Sequence, residues 1–476
     1  MESTAATQPA SPNGLQHRTV WRWHFYAGLF CIPFVIWLSV TGTIFLFKPQ
    51  IERLLDKPYD GLTIDSRATA NAQVQAALAA VPAAALDSYQ LPRTPTSAAQ
   101  ILVDKGTRQF RVYIHPGTLA VLKVEDEDRR LENVVFKLHG ELLMGDAGSW
   151  IVELAASWAV VMILTGLFLW WPREAKGPGG VLYPRLDRSG RVFWKDIHSV
   201  TGIYVSFFAL FLLFTGLPWA KGWGGYLKAV RHLTAGHVVS QEWTTSSSEI
   251  AAGRTARTAA AMSGMPSGTG EHAQHGGMHG AHRGSSLTGP DAFVAIDKVL
   301  ATVQPLNLAY PVLIAPPYRT GGDWTAKSDT RDRPLRVDLV LNGANGAIVS
   351  RKDFRSKPWL DRAIGTGIAA HEGALFGWAN QILSLFTTIG LVTLSVSGLV
   401  MWWKRRPEGV LGAPAAVRHV PFSAGLLALM VILGIYFPFL GGSMILVGLV
   451  ERFILRRIPA AQRWLGLKDI VPRPSV

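Results

Sequence analysis

The chain has 476 residues, 49% hydrophobic and only 17% charged, with 17 tryptophans; this excludes a disordered chain and an ordinary soluble domain and points to a bilayer as solvent. The formal charge of +14 does not indicate nucleic acid, because the basic residues cluster in short segments beside apolar runs: Arg173, Lys176, Arg185, Arg188, Arg191 and Lys195, then Lys404-Arg405-Arg406, then Arg452, Arg456 and Arg457. Cys31 is the single cysteine, which rules out an internal disulfide, a cysteine-ligated iron–sulfur cluster and covalently attached c-type haem.

Residues 1–19 read as a polar tail and 20–47 as the first span, whose apolar run is too long for a signal-peptide core. Segment 48–138 is a soluble module: a helical pattern, NAQVQAALAAV, precedes strands Arg108–Ile114 and Leu119–Val124 around a turn at His115-Pro116-Gly117. A second span with an outer histidine segment (139–171), a basic loop (172–193) and a third span (194–219) follow. The linker 220–289 contains a Gly/Ser/Ala/His-rich stretch, 244–288, that is expected to be disordered. Module 290–370 repeats the first: DAFVAIDKVLATV, a strand Leu335–Leu341, a turn Asn342–Gly346 and a closing strand.

The fourth span, again with an outer histidine segment, covers 371–403 and leads into loop 404–420. The block 421–457 is broken by YFPFLGG around Pro438 and reads as a hairpin of two further spans; one tilted helix is the alternative, but it is too long for a single crossing. Residues 458–476 form a tail. The positive-inside rule puts both termini and the loops 172–193 and 404–420 in the cytoplasm, and 48–138 and 220–370 outside. The expected fold class is therefore an α-helical polytopic membrane protein: a four-helix core from a duplicated two-helix unit, a C-terminal helical hairpin and two extracytoplasmic α+β modules.

The duplication is marked by four histidines. His24 precedes Thr41-Gly42 by 17 and 18 residues, and His198 precedes Thr215-Gly216 by the same offsets. His139 precedes Thr165-Gly166 by 26 and 27 residues and Trp170 by 31, and His371 stands in the same relation to Ser397-Gly398 and Trp402. Topology puts His24 with His198 near the inner face and His139 with His371 near the outer face. Two imidazoles at one depth on neighbouring helices are what a non-covalent, bis-histidine b-type haem requires, so haem ligation is expected, ahead of a zinc or copper site, for which no carboxylate or cysteine shares the spacing. Gly28 and Gly202 lie one turn beyond His24 and His198 on the same face, where a macrocycle would approach the backbone. A straight helix of 31 residues would measure about 46 Å against a ~30 Å hydrocarbon core. Either His139 and His371 lie at or beyond the outer boundary, or the chain bends near Gly145–Gly148 and Gly377.

Other features carry less chemistry. His272, His275, His279 and His282, with Met262, Met265 and Met278, are a candidate weak copper or iron site or a plain linker. Trp170-Trp171 and Trp402-Trp403 read as an aromatic belt, and the Thr-Gly and Ser-Gly pairs as sites of close helix packing. His17, His115, His232, His237 and His419 have no partner at matched spacing and read as tail, surface or packing residues. With neither G-x-G-x-x-G nor a P-loop, the electron donor must be a separate cytoplasmic reductase, a soluble flavin or a quinol.

WRWHFYAGLF with TGTIFLFKP, KLHGELLMG with TGLFLWWPR, WKDIHSVTGIY with LFTGLPW, and AAHEGALFG with SGLVMWWKRRP resemble the PepSY-associated transmembrane family over nearly the whole chain. RVYIHPGTLAVL resembles the PepSY module more closely than RVDLVLNGANGAIV does. The resemblance implies a bacterial inner-membrane protein with two haems b, ligated by His24, His198, His139 and His371, that reduces a ferric siderophore or another metal chelate outside the cytoplasm. Two competing readings are a PepSY sensor whose spans are only anchors, which has no use for register-matched histidines, and a siderophore transporter, for which the four main spans lack mid-membrane charges.

Overall fold

The computed structural model describes residues 12–173, 177–235, 247–263, 293–317, 322–414, 416 and 424–467. In chain order, α1 (Pro12–Leu46) and α2 (Lys48–Asp56) precede α3 (Ala70–Ala80) and strands β1 (Ala85–Gln90), β2 (Ala99–Lys105), β3 (Arg108–Ile114) and β4 (Val121–Asp126). Five helices follow: α4 (Leu131–Glu141), α5 (Asp146–Trp170), α6 (Gly190–Gly216), α7 (Lys221–Ala235) and α8 (Ser247–Ser263). Then come α9 (Ala295–Val303), β5 (Val312–Ala315), β6 (Trp324–Ser328), β7 (Val337–Leu341) and β8 (Ile348–Asp353). The chain closes with α10 (Trp359–His371), α11 (Trp378–Arg405), α12 (Ala424–Tyr436), α13 (Pro438–Phe453) and α14 (Pro459–Trp464). Contacts divide it into a helical unit (Met1–Thr43, His139–Thr244, Leu383–Val476) and a sheet unit (Ile44–Leu138, Thr245–Ile382).

In the helical unit the long helices carry apolar stretches of mean hydropathy 1.6 to 2.2, as a membrane-spanning segment requires. Five helices among the described residues are long and apolar enough to cross a membrane: α1, α5, α6, α11 and the stretch Pro438–Arg457. This is a multi-pass membrane protein. Helices α6 and α11 approach closely at Gly390, where an added Cβ would come within 2.4 Å of a Val205 methyl. Val160, Leu217, Trp223, Phe437 and Leu440 form a second buried cluster. Helices α12 and α13 fold back on each other: a Cβ on Gly434 would lie 3.5 Å from the Gly441 Cα, far closer than the ~10 Å separating such positions along a straight helix. The 13 described residues of α12 measure about 20 Å, while Pro438–Arg457 is long enough to cross a membrane.

The linker expectation is corrected. Segment 221–235 is helical, and α7 is capped by the Glu153 carboxylate, which accepts from Gly222 N–H at 2.8 Å. Segment 247–263, expected to be disordered, is the helix α8 in the sheet unit. Its fold depends on partners far away in sequence. Arg257 donates to Asp104 at 2.7 Å and reaches Asp87 at 3.1 Å, and Arg254 donates to Asp128 at 2.6 Å.

The sheet unit corrects a further expectation. The two soluble modules share one eight-stranded antiparallel sheet, ordered β4-β3-β2-β1-β5-β6-β7-β8. The halves join where β1 pairs with β5, Tyr89 opposite Ile314 and Gln90 opposite Leu313. Strand side chains alternate between faces. Ile101 and Val103 of β2, Val112 of β3, Ile314 of β5 and Leu339 of β7 pack with Val74 of α3 and Ile296 and Val299 of α9 in one core. Gln100 and Asp104 point to the other face, where α8 meets Asp104. Strand β4 begins two residues later than predicted because Leu119 takes φ +61° and closes the turn on the His115 carbonyl. Strand β7 begins at Val337 because Arg333-Pro334-Leu335 make a 3₁₀ turn.

Two charged clusters on this unit give testable stabilities. The Asp104 side chain is fully buried; burial and the neighbouring Asp87 push its carboxyl up, against the opposing Arg257. Arg257→Ala removes its closest cation and is expected to cost about 3 kcal/mol, with partial recovery in Arg257→Lys. Thermal unfolding measures this, and an unchanged midpoint would mean that α8 is not held by the pair. The second cluster is the bidentate Arg111–Glu127 pair, both bonds 2.8 Å. Burial pushes the Glu127 carboxyl up, but Arg111, then Arg130 and Lys48, outweigh it and hold it at about 2 instead of 4.5. A carboxyl depressed on folding stabilises above its unfolded pKa. The contribution, about 3 kcal/mol, is therefore complete above about pH 4.5 and is lost as the pH falls toward 2. Glu127→Gln is expected to flatten the stability curve in that window, as read by chemical denaturation at stepped pH, and an unaltered acid limb would contradict the assignment.

Candidate functional site

The four histidines occupy distinct local settings. His24 lies in α1 and His198 in α6, each inside a long apolar helix. His139 is near the end of α4, and His371 is the last residue of α10, within the sheet unit. Of the two alternatives for the outer histidines, the chain takes the bend. After α4, Leu142, Leu143 and Gly145 all have positive φ, and Gly148 packs so tightly on the Glu141 carbonyl that no side chain fits there. Left-handed leucines cost roughly 1–2 kcal/mol each, so the surrounding packing must impose this turn. After α10, Gly373 (φ +72°) and Gly377 (φ +57°) turn the chain, Asn380 donates to the Ala370 carbonyl at 3.0 Å, and Arg331 pairs with Glu372 at 3.2 Å.

Three of the histidines rest in the same kind of cradle. The His24 Nδ1 lies 3.0 Å from the Met162 carbonyl and 3.2 Å from the Thr165 hydroxyl on α5. The His198 Nδ1 lies 3.1 Å from both the Leu394 carbonyl and the Ser397 hydroxyl on α11. The His139 Nδ1 lies 3.0 Å from the Thr41 hydroxyl on α1. Each hydroxyl already donates its proton back along its own helix: Thr165 to Val161, Ser397 to Leu394 and Thr41 to Trp37. Each therefore accepts from the imidazole, as the carbonyls must. Nδ1 carries the hydrogen, and Nε2 is the nitrogen through which each ring would bind a metal. The glycine next to each hydroxyl makes room for the ring, since a Cβ on Gly166 would meet the His24 Cε1 at 3.1 Å, on Gly42 the His139 Cε1 at 3.1 Å, and on Gly398 the His198 Cε1 at 3.5 Å.

Three of the four pairs read from sequence as packing residues, Thr41-Gly42, Thr165-Gly166 and Ser397-Gly398, are thus histidine holders. The signal was present in their fixed offset from the histidines. What the offset concealed is that each of these three pairs serves a histidine from another helix.

The structure brings His24 and His198 together, with ring centres 6.3 Å apart and planes crossing at 81°. Two metal–imidazole bonds of about 2.0 Å laid end to end, plus the distance from each nitrogen to its ring centre, span about 6 Å. Beside Gly28, one turn from His24, an added Cβ would meet no atom within 4 Å, and beside Gly202 it would meet only Leu394 at 3.7 Å. The pair therefore fits a bis-histidine haem by spacing, by tautomer and by space along α1. Among the described residues no group of three or more His, Cys, Asp or Glu side chains gathers as a polydentate metal site would need. Thr41 lies 17 residues after His24, so His139 is held about 25 Å along α1 from the inner pair.

The family model for the PepSY-associated TM region matches residues 21–405. The chain belongs to the PepSY-associated TM family. A comparison with curated proteins gives no match. The four candidate histidines of this PepSY-associated protein, His24, His139, His198 and His371, and the four Thr-Gly or Ser-Gly pairs at fixed offset from them fall within the matched region.

The remaining candidates divide. His272, His275, His279 and His282 lie outside the described residues, as do Met265, Met278, His237 and His419. His115 closes a turn, its Nδ1 accepting from Gly117 N–H at 3.2 Å and Thr118 N–H at 3.1 Å. The tryptophan pairs have split roles. Trp171 and Trp403 are 65% and 69% exposed, as an aromatic belt requires, whereas Trp170 and Trp402 donate to the Val181 and Leu411 carbonyls of the loops that follow them.

Proposed function

We propose that this protein is an inner-membrane di-haem b oxidoreductase that passes single electrons from a cytoplasmic reductase, a soluble flavin or the quinol pool to an extracytoplasmic ferric siderophore, releasing iron by reduction. The observation that carries the reading is the His24–His198 pair, 6.3 Å between ring centres with both Nδ1 hydrogens committed to cradles. His24 and His198 would hold one haem through Nε2. His139 and His371, paired by the sequence repeat, would hold the second. Haem ligated in this way supplies a one-electron ferric/ferrous couple.

The chain's own residues contribute orientation. The carbonyls of Met162 and Leu394, with the hydroxyls of Thr165, Ser397 and Thr41, fix which imidazole nitrogen is presented and in which direction. Apolar helices around the inner pair exclude water. The separation of about 25 Å along α1 between the inner pair and His139 supports a path from one side of the bilayer toward the other. Reduction suits iron release because the hard oxygen donors of a siderophore hold ferrous iron far less tightly than ferric. The basic loops support placing both termini in the cytoplasm and the sheet unit outside.

The test is a reduced-minus-oxidised optical spectrum with a pyridine haemochrome assay on detergent-purified protein, followed by reoxidation with a ferric siderophore and, in parallel, a cupric chelate. Two haems b per chain reoxidised by the ferric complex support the reading, and reoxidation by copper alone would reassign the substrate. Folded protein without haem would overturn the function and favour a sensory role for the sheet unit.

A further inference from the structure

Helix α1 is gripped on the side away from its histidine. Two residues along a helix is a rotation of about 200°, so Arg22 and Tyr26 face away from His24 and Gly28. Arg22 is buried, and its guanidinium donates to the Pro414 carbonyl at 2.6 Å, the Gly466 carbonyl at 2.9 Å and the Leu465 carbonyl at 3.5 Å. It also stacks 5.0 Å from the centre of the Tyr26 ring, and the Tyr26 hydroxyl donates to that same Leu465 carbonyl. Leu465 and Gly466 end α14, where the final carbonyls of a helix lack partners along the helix and attract a cation. Gly466 makes the turn with φ +59°, and backbone bonds from Leu411 to Trp464 and from Ala416 to Gly466 fasten the segment to the loop after α11. On a third side of α1, Arg405 stacks on Trp21 at 4.7 Å and Phe25 at 5.7 Å.

We infer that the C-terminal segment 459–467 sets the rotation of α1, and through it the direction of the His24 imidazole, with Arg22 and Tyr26 as positioning residues for the inner haem ligand. The inference rests on the haem reading above. A guanidinium fork meeting three carbonyls fixes an azimuth in a way that a single ammonium cannot. Thr165 and Gly166 then receive the ring from the opposite side, so the inner ligand is held between a cradle on α5 and a clamp whose Leu465 and Gly466 carbonyls lie more than 400 residues later in the chain.

The experiment compares full-length Arg22→Gln, Arg22→Lys and Tyr26→Phe proteins with a chain ending at Ile458. The readouts are haem content resolved by site and the low-spin electron paramagnetic resonance signal of each haem. Arg22→Gln and the truncated chain are expected to shift the inner signal and weaken retention of the inner haem about ten-fold, while the outer signal stays in place. Tyr26→Phe should move the inner signal with little loss of haem, and Arg22→Lys should recover part of the occupancy. An unmoved inner signal in both Arg22→Gln and Tyr26→Phe, or equal loss of both haems, would overturn the positioning role while leaving the haem assignment intact. Wild-type protein without haem would instead overturn the functional reading itself.

Discussion

His24→Ala and His198→Ala are each expected to lower haem content from two per chain to one, with the remaining haem spectrally unchanged. Both substitutions would remove one of the two imidazoles proposed to hold the same haem, the pair whose ring centres lie 6.3 Å apart. Neither touches the cradle on α1, where Thr41 receives His139. His139→Ala and His371→Ala should give the complementary species. Pyridine haemochrome quantitation with redox titration measures the outcome. A single substitution that removed both haems from folded protein would break the two-by-two pairing, and one that removed neither would remove His24 or His198 from the ligand set.

The second large effect is expected at a residue that carries no side chain. Gly166→Val should empty the inner site as completely as loss of the histidine. A Cβ alone would stand 3.1 Å from the His24 Cε1, and valine adds two methyls to that same carbon beside the imidazole. Gly42→Val should do the same to His139 and the outer haem, since the same 3.1 Å contact recurs there. Gly166→Ala is milder, because the ring need give only a few tenths of an ångström. Thr165→Val should act through chemistry instead of bulk, removing one acceptor for the Nδ1 hydrogen and weakening haem retention roughly ten-fold. The site-resolved haem stoichiometry of these variants is the measurement. A fully loaded Gly166→Val protein would show that the ring does not rest where the structure puts it.

Much of this arrangement was legible in the chain itself because it is repeated. The offsets from His24 and His198 to Thr-Gly, and from His139 and His371 to Thr-Gly or Ser-Gly, survive as a ruler, and both the membrane-length apolar runs and the strand alternation of Arg108–Ile114 follow from local periodicity. Legibility stopped where an element owes its form to a distant partner. Helix α8 has a composition of Ala, Thr, Ser and Gly that promises no core, and it folds because Arg254 and Arg257 find Asp104 and Asp128 some 150 residues earlier. The joining of two modules into one sheet was equally hidden, since either four-stranded half would satisfy the pattern alone and it is the pairing of β1 with β5, Tyr89 with Ile314 and Gln90 with Leu313, that makes them continuous.

The sequence by itself determined the solvent, the topological rhythm and the identity of the four imidazoles, because hydrophobic length, basic flanks and register are properties of the chain and need no partner to be read. The tertiary structure decided which helix holds which ring, that the bend after His139 is made by left-handed Leu142 and Leu143, and that a C-terminal helix end grips Arg22. Those are contacts between surfaces remote in sequence. Their cost and reward are settled only when backbone carbonyls, hydroxyls and missing side chains on different helices meet at van der Waals distance.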